Sequence, residues 1–131
     1  MSETLPSYWA DIAPFAQTLG AVVKRASDGE AELFLPFAQS NANRKHDVHG
    51  GALGSLIDLV GSAALRSAEP ELKGLATISM TVNFLVPARG DMTAIGKVVK
   101  SGRTIGWCEC RIVDSQGQLV ATASATYRII R

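Results

Sequence analysis

Asp58 is the residue best placed to do chemistry in this sequence, because nothing beside it neutralises it. On a helix its neighbours at i−4, i−3, i+3 and i+4 are Gly54, Ser55, Gly61 and Ser62. None is basic, so no local salt bridge is available. All are small, so the carboxylate stands in a shallow recess. Glycine inside a helix costs about 0.8–1 kcal/mol relative to alanine, so Gly54 and Gly61 together give up roughly 2 kcal/mol. Some close approach along that face must offset the loss. Two arrangements fit: a helix-packing groove with a solvated acid at its rim, or a carboxylate aimed into a crevice that a substrate or second subunit enters.

The helix entrance adds a second kind of group. His49-Gly50-Gly51 stands just before the apolar helix pattern. Free backbone N–H groups at a helix start form an oxyanion or anion site. Glycine lets a ligand reach the main chain without a Cβ in the way. The same residues also suit a plain loop-to-helix turn with a capping histidine. Asn43, in the loop before them, equally suits an Asx turn.

These groups need elements to hold them. Leu53, Leu56, Ile57, Val60 and Ala64 fall on one helical stripe, which predicts a helix over 51–67, stopped before Pro70. Ahead of it, 19–26 and 30–36 read as strands of a hairpin around the turn SDG. The segment 38–48, AQSNANRKHDV, is a polar loop. Residues 6–18 suit a short amphipathic helix or turn, limited by Pro14. After the long helix, 76–86 is expected to pair with 93–100 across a turn at PARGD. Strands over 104–113 and 118–130 complete a four-strand antiparallel meander. The fold class is therefore α+β. One helix cannot cover both faces of such a sheet. The natural solution is a curled sheet around the helix, with another subunit against the exposed remainder. The run 76–86 is an apolar edge that soluble proteins avoid exposing.

Composition bounds the alternatives. At 131 residues one domain over 1–131 is expected, and 47% hydrophobic residues supply a core. A net charge of +1 with no long basic run gives no footprint for nucleic acid or a membrane surface. No signal peptide and no run of about 18 apolar residues is read, so the expected compartment is the cytoplasm. Cys108 and Cys110 would share one strand face, as reduced core or interface residues. The string HDVH is a weak ligand pattern, so neither a metal nor a cofactor is expected.

Taken together, NRKHDVHGGALGSLID resembles the signature of hotdog-fold acyl-CoA thioesterases of the phenylacetate-degradation, PaaI-like type. ATISMTVNFLVPARGD, VVKSGRT and VDSQGQLVATASATYRI resemble that family's later strands, so the likeness covers about residues 20–130. It implies a long central helix wrapped by a curved antiparallel sheet. It implies a homodimer or homotetramer with the active site at the subunit interface. Asp58 would be general base or nucleophile from one subunit. The Gly50 N–H and the Asn43 side chain of the other would polarise the thioester carbonyl. His49 would help shape the site, and Thr77 would help place the attacking water. The family often has glycine midway between the Asn and the His-Gly-Gly, where this chain has His46, a departure that bears on the loop's conformation.

An acyl-CoA substrate also needs phosphate contacts. Lys97, Lys100 and Arg103 cluster around the turn SGR, with Arg89 in the turn before. By resemblance Lys100 and Arg103 are the better candidates. Phe84 and Trp107 suit a ligand groove, although core or interface is the stronger reading for each. Hotdog hydratases and dehydratases carry His motifs that are absent here. A non-catalytic acyl-CoA binding or regulatory module is the competing class. It would keep the groove and lose the acid, whereas Asp58 is present. The acyl group, aryl or medium-chain, is not written in the sequence.

Overall fold

The computed structural model describes residues 13–131. Helix α1 (Pro14–Leu19) begins on Pro14. Proline suits a first helical turn, because it has no N–H to lose and its φ is already helical. Pro14 therefore starts the helix instead of limiting it. Gly20 ends it in the left-handed conformation, with φ 89°. The strand expected from residue 19 accordingly starts at Val22. Residues 6–12 of the expected N-terminal segment lie outside the described residues.

β1 (Val22–Ser27) and β2 (Glu30–Leu35) form the expected hairpin. Asp28 and Gly29 both have positive φ, 52° and 84°, the tight turn whose twist matches that of paired strands. The long helix α2 (Gly50–Ala68) follows, then β3 (Gly74–Phe84), β4 (Met92–Ser101), β5 (Ile105–Asp114) and β6 (Leu119–Ile130). The strands make one six-stranded sheet in the order β1-β2-β4-β5-β6-β3. Every pairing is antiparallel. The predicted stripe Leu53, Leu56, Ile57, Val60 and Ala64 is buried against it. Among the described residues no helix is long and apolar enough to cross a membrane.

The expected β3–β4 hairpin is not formed. β3 pairs with β6, and β4 pairs with β2 and β5, so the meander has three strands. The physical reason lies in the connection 85–91. It is longer than a tight hairpin turn and contains Pro87. Its groups are used elsewhere. Leu85 N–H donates to Val120 O at 2.8 Å, and Ala88 O accepts from Val48 N–H at 2.8 Å. Asp91 Oδ1 accepts from Phe37 N–H at 2.7 Å. The segment thus crosses the end of the sheet, from the β3 edge to β2. β4 then takes a central position, with Met92, Ala94 and Gly96 buried.

Two glycines bring helix and sheet close. A Cβ on Gly96 would stand 2.8 Å from Val60 O, and one on Gly106 would strike the Leu65 side chain. Cys108 and Cys110 are free and buried. Burial pushes both thiols up to about 12, which keeps them inert near neutral pH. Gly29 N–H donates to Ser67 Oγ at 2.9 Å and ties the first hairpin to the helix end.

The closeness can be tested at Gly96. The atom a new methyl would meet is main chain and cannot swing aside. Gly96→Ala should destabilise the protein by about 1–3 kcal/mol, read as a fall of several degrees in thermal midpoint. A variant as stable as wild type would contradict this account of the packing.

Candidate active site

The loop before α2 is fixed from within. Gln39–Asn41 forms one turn of 3-10 helix. Asn41 is buried, accepting from Ala38 N–H and donating to Pro36 O, both at 3.2 Å. Its carbonyl accepts from His49 N–H at 2.8 Å, which anchors the helix entrance. Asn43 forms the Asx turn: its Oδ1 accepts from Lys45 N–H at 2.9 Å and Asp47 N–H at 3.1 Å. Because Oδ1 is committed, Nδ2 is the donor left for a ligand. His46 has φ 63°. A left-handed residue is where glycine is cheapest, so the loop keeps a glycine-like conformation with histidine in place.

His49 caps α2. Its Nδ1 accepts from Gly51 N–H at 2.8 Å, so in the neutral ring the proton sits on Nε2. Ala52 N–H and Leu53 N–H donate to His49 O at 2.9 and 3.0 Å. Of the four N–H groups opening the helix, only that of Gly50 has no acceptor among the described residues. The Phe84 ring lies beside it, 3.8 Å from where a Gly50 Cβ would stand.

Two turns further along, Asp58 Oδ1 accepts from Thr77 Oγ1 at 2.7 Å. Asp58 has no ion pair among the described residues. Among the described residues nothing stands within 4 Å of a Cβ on Gly54, so the recess one turn before the carboxylate is open. Gly61, one turn after it, is filled: a Cβ there would strike the Tyr127 hydroxyl. That hydroxyl donates to Asp58 O at 2.8 Å. The two helix glycines thus differ. Gly61 admits a tyrosine, while Gly54 faces empty space.

A β-bulge aims Thr77. The β3–β6 register shifts between Thr77 and Ser79: Thr77 pairs with Tyr127 and Ser79 with Thr126. The extra residue is Ile78, which is 55% exposed. Past the bulge, Met80 and Val82 pair with Ala125 and Ala123, whose side chains are buried under α2. Ser79 and Asn83 point to the other face, where they meet Thr126 at 2.8 Å and Thr122 at 3.4 Å. Without the bulge, simple alternation would put Thr77 on the same face as Ser79. With it, Thr77 stands on the helix side.

The remaining expected residues fall at two ends. Phe84, Gly50 and Asn43 line one groove of about 350 Å³, with Leu53, Val86 and Arg89 also in its wall. Arg89 reaches Asp47 at 3.8 Å across that groove. Lys100 and Arg103 flank the β4–β5 turn at the opposite end of α2. There Ser101 Oγ donates to Glu69 at 2.8 Å, and Arg131 Nε donates to Arg103 O at 2.9 Å. Trp107 is not in the groove. Its neighbours Gly106 and Cys108 are buried under the helix, so Trp107 faces outward. Tyr127 went unread in the sequence. The signal for it was Gly61, which demanded a bulky neighbour without naming it.

Along one helix, Gly50 and Asp58 are eight residues apart, about 12 Å of axial rise. An oxyanion donor and a base must each lie about 3 Å from the reacting group. The Gly50 N–H and the Asp58 carboxylate of one chain therefore cannot both reach one carbonyl.

Sequence and fold comparisons agree with this architecture. Residues 46–121 match the family model of the thioesterase superfamily. A protein of Halobacterium salinarum, named provisionally as an esterase, is 39% identical over 124 residues, covering 86% of this chain and 82% of that protein. The structure of a thioesterase family protein from Silicibacter pomeroyi superposes with a TM-score of 0.87 at 27% identity, covering 94% and 93% of the two chains. The E. coli PaaI protein of the phenylacetic acid degradation operon shares the fold, with a TM-score of 0.85 at 24% identity over 95% and 89%. With the superfamily's pattern spanning α2 and strands β3 to β5, and the long helix wrapped by an antiparallel sheet as in its solved relatives, this hotdog-fold chain belongs to the thioesterase superfamily.

Proposed function

We propose that the protein hydrolyses an aryl- or medium-chain acyl-CoA to the free acid and CoA, with Asp58 as base or nucleophile. The observation that carries this reading is the Asp58 carboxylate itself. It has no cationic partner among the described residues, it is oriented by Thr77 at 2.7 Å, and it stands beside the open recess at Gly54. As base, Asp58 takes a proton from a water held with Thr77, and the water oxygen bonds to the thioester carbon. The carbonyl oxygen gains charge and accepts from Gly50 N–H and Asn43 Nδ2. The C–S bond then breaks, and the sulfur leaves as thiolate and takes up a proton. His49, by capping α2, leaves the Gly50 N–H as the uncommitted donor. The apolar wall of Phe84, Leu53 and Val86 suits the acyl group.

The reaction needs two protomers, since Gly50 and Asp58 of one are too far apart. The unpaired edge of β3 offers the join. Ile78, Met80 and Phe84 are exposed along it, and soluble proteins cover such edges. Two β3 edges paired antiparallel about Thr81, with Ile78 as the extra residue of the bulge, would set Thr77 of one protomer opposite Phe84 of the other. Each Asp58 would then face a Gly50 across the seam. On this reading the protein is a homodimer or a pair of dimers. Light scattering should give an even-numbered assembly, and a stable, active monomer would contradict the shared site.

Lys100 and Arg103 are proposed contacts for the CoA phosphates. Their turn lies at the end of the sheet where β3 begins, and Gly74 is about 10 Å along the strand from Thr77. Replacing both with alanine should raise KM for acyl-CoA much more than it lowers kcat. The effect should shrink for a short thioester lacking the nucleotide. An equal loss on both substrates would assign these residues to folding instead.

Asp58→Asn tests the chemistry. The change keeps the shape and removes the charge, so the fold should survive. kcat should fall about 10²–10⁴-fold, roughly 3–5 kcal/mol, with a much smaller change in substrate binding. A folded variant keeping more than about a tenth of wild-type turnover would show that Asp58 is not the catalyst.

A further inference from the structure

Among the buried polar groups that the proposed chemistry does not use, the Tyr127 hydroxyl is the one bonded to Asp58. Tyr127 is 1% exposed. Its hydroxyl donates to the backbone carbonyl of Asp58 at 2.8 Å. That carbonyl already has an intrahelical donor four residues on, so the helix does not require a second. The contact also depends on Gly61, because any Cβ there would strike the hydroxyl. Phenylalanine at 127 with alanine at 61 would fill the same space without a helix glycine. Burial and the neighbouring Asp58 push the phenol above the ordinary tyrosine range, so it stays protonated as a donor.

The geometry has a further feature. Thr77 and Tyr127 are direct cross-strand partners. One rung of the sheet therefore holds Asp58 twice, the carboxylate through Thr77 at 2.7 Å and the main chain through Tyr127. The bulge at Ile78 begins immediately after that rung. The edge strand can twist away there while the rung itself stays in register.

We propose that Tyr127 is a positioning residue for thioester hydrolysis, its hydroxyl fixing α2 against the sheet at Asp58 so that the carboxylate keeps one orientation toward Thr77 and the substrate. This rests on Asp58 being the catalytic carboxylate. Misplacing a reacting group by about 1 Å can cost on the order of 10²-fold in rate. The ring packs the core; the hydroxyl aims the acid.

Tyr127→Phe separates the two, since it keeps the ring and removes only the donor. It is assayed in the full-length protein with an acyl-CoA the wild type turns over, alone and combined with Asp58→Asn. The expected result is a fall in kcat of about 10-fold or more, with KM within about 2-fold and thermal midpoint nearly unchanged. In the Asp58→Asn background the same change should cause no further loss, because there is no carboxylate left to aim. 4-Aminophenylalanine at 127, which returns a donor to that place, should recover most of the lost kcat. Should Tyr127→Phe fold poorly, Gly61→Ala displaces the same hydroxyl from the helix side and is judged by the same kcat and KM split. A folded variant with wild-type kcat, or an equal loss in the Asp58→Asn background, would overturn the positioning role. An active Asp58→Asn would instead remove the catalytic reading of Asp58, and this proposal with it. An inactive Asp58→Asn beside a fully active Tyr127→Phe overturns the positioning alone.

Discussion

The distance between α2 and the sheet is set by missing side chains. Gly96 leaves room for the main chain of Val60, Gly106 for Leu65, and Gly61 for the Tyr127 hydroxyl. Helix–sheet contacts made through larger residues would hold the layers further apart. At that greater distance a threonine on β3 would not reach a carboxylate on the helix. The 2.7 Å bond from Thr77 to Asp58 is thus a consequence of packing several residues away. Part of the helix stability lost at Gly61 is recovered in that approach. The loss at Gly54 is not recovered by any contact among the described residues, where the glycine faces open space. An unfilled gap one turn from an uncompensated acid is what a substrate-binding crevice requires.

The second constraint is the length of the helix. Donor and acid sit at its first turn and its middle, too far apart to meet on one carbonyl. The sheet carries the matching pieces along a single edge: Thr77 beside Asp58, and Phe84 beside Gly50. The strand that carries Thr77 and Phe84 is also, among the described residues, an edge strand of the sheet. On the proposed function, assembly and catalysis would draw on the same surface, and a partner would cover the exposed Ile78, Met80 and Phe84.

Much of this was legible in the residues. The stripe from Leu53 to Ala64 gave the helix within a residue of each end, and the Asp-Gly pair gave the first hairpin. Asp58 stood out because its helical neighbours are known from spacing alone. What escaped was long-range. Adjacent runs suggested a β3–β4 hairpin, but strand partners are chosen by which faces the helix must cover, and buried Met92, Ala94 and Gly96 made β4 central. The bulge at Ile78 has no sequence mark, since no glycine or proline announces it. Tyr127 lies 69 residues from the carbonyl it contacts, and local reading has no means of joining such a pair. The spacing of Lys100 and Arg103 around Ser101-Gly102 suffices to place them on either side of one turn. Their position at the far end of α2 from Gly50 came only from the topology.

Membership in the thioesterase superfamily fixes the broad chemistry, and the arrangement around Asp58 accounts for how this chain would perform it. The same groove without turnover would describe a binding module. Release of free thiol from a panel of aryl- and medium-chain acyl-CoAs by the purified protein decides between them. The account predicts catalytic turnover on at least one member, with many thiols released per active site. Saturable binding of those acyl-CoAs with no thiol released would contradict it.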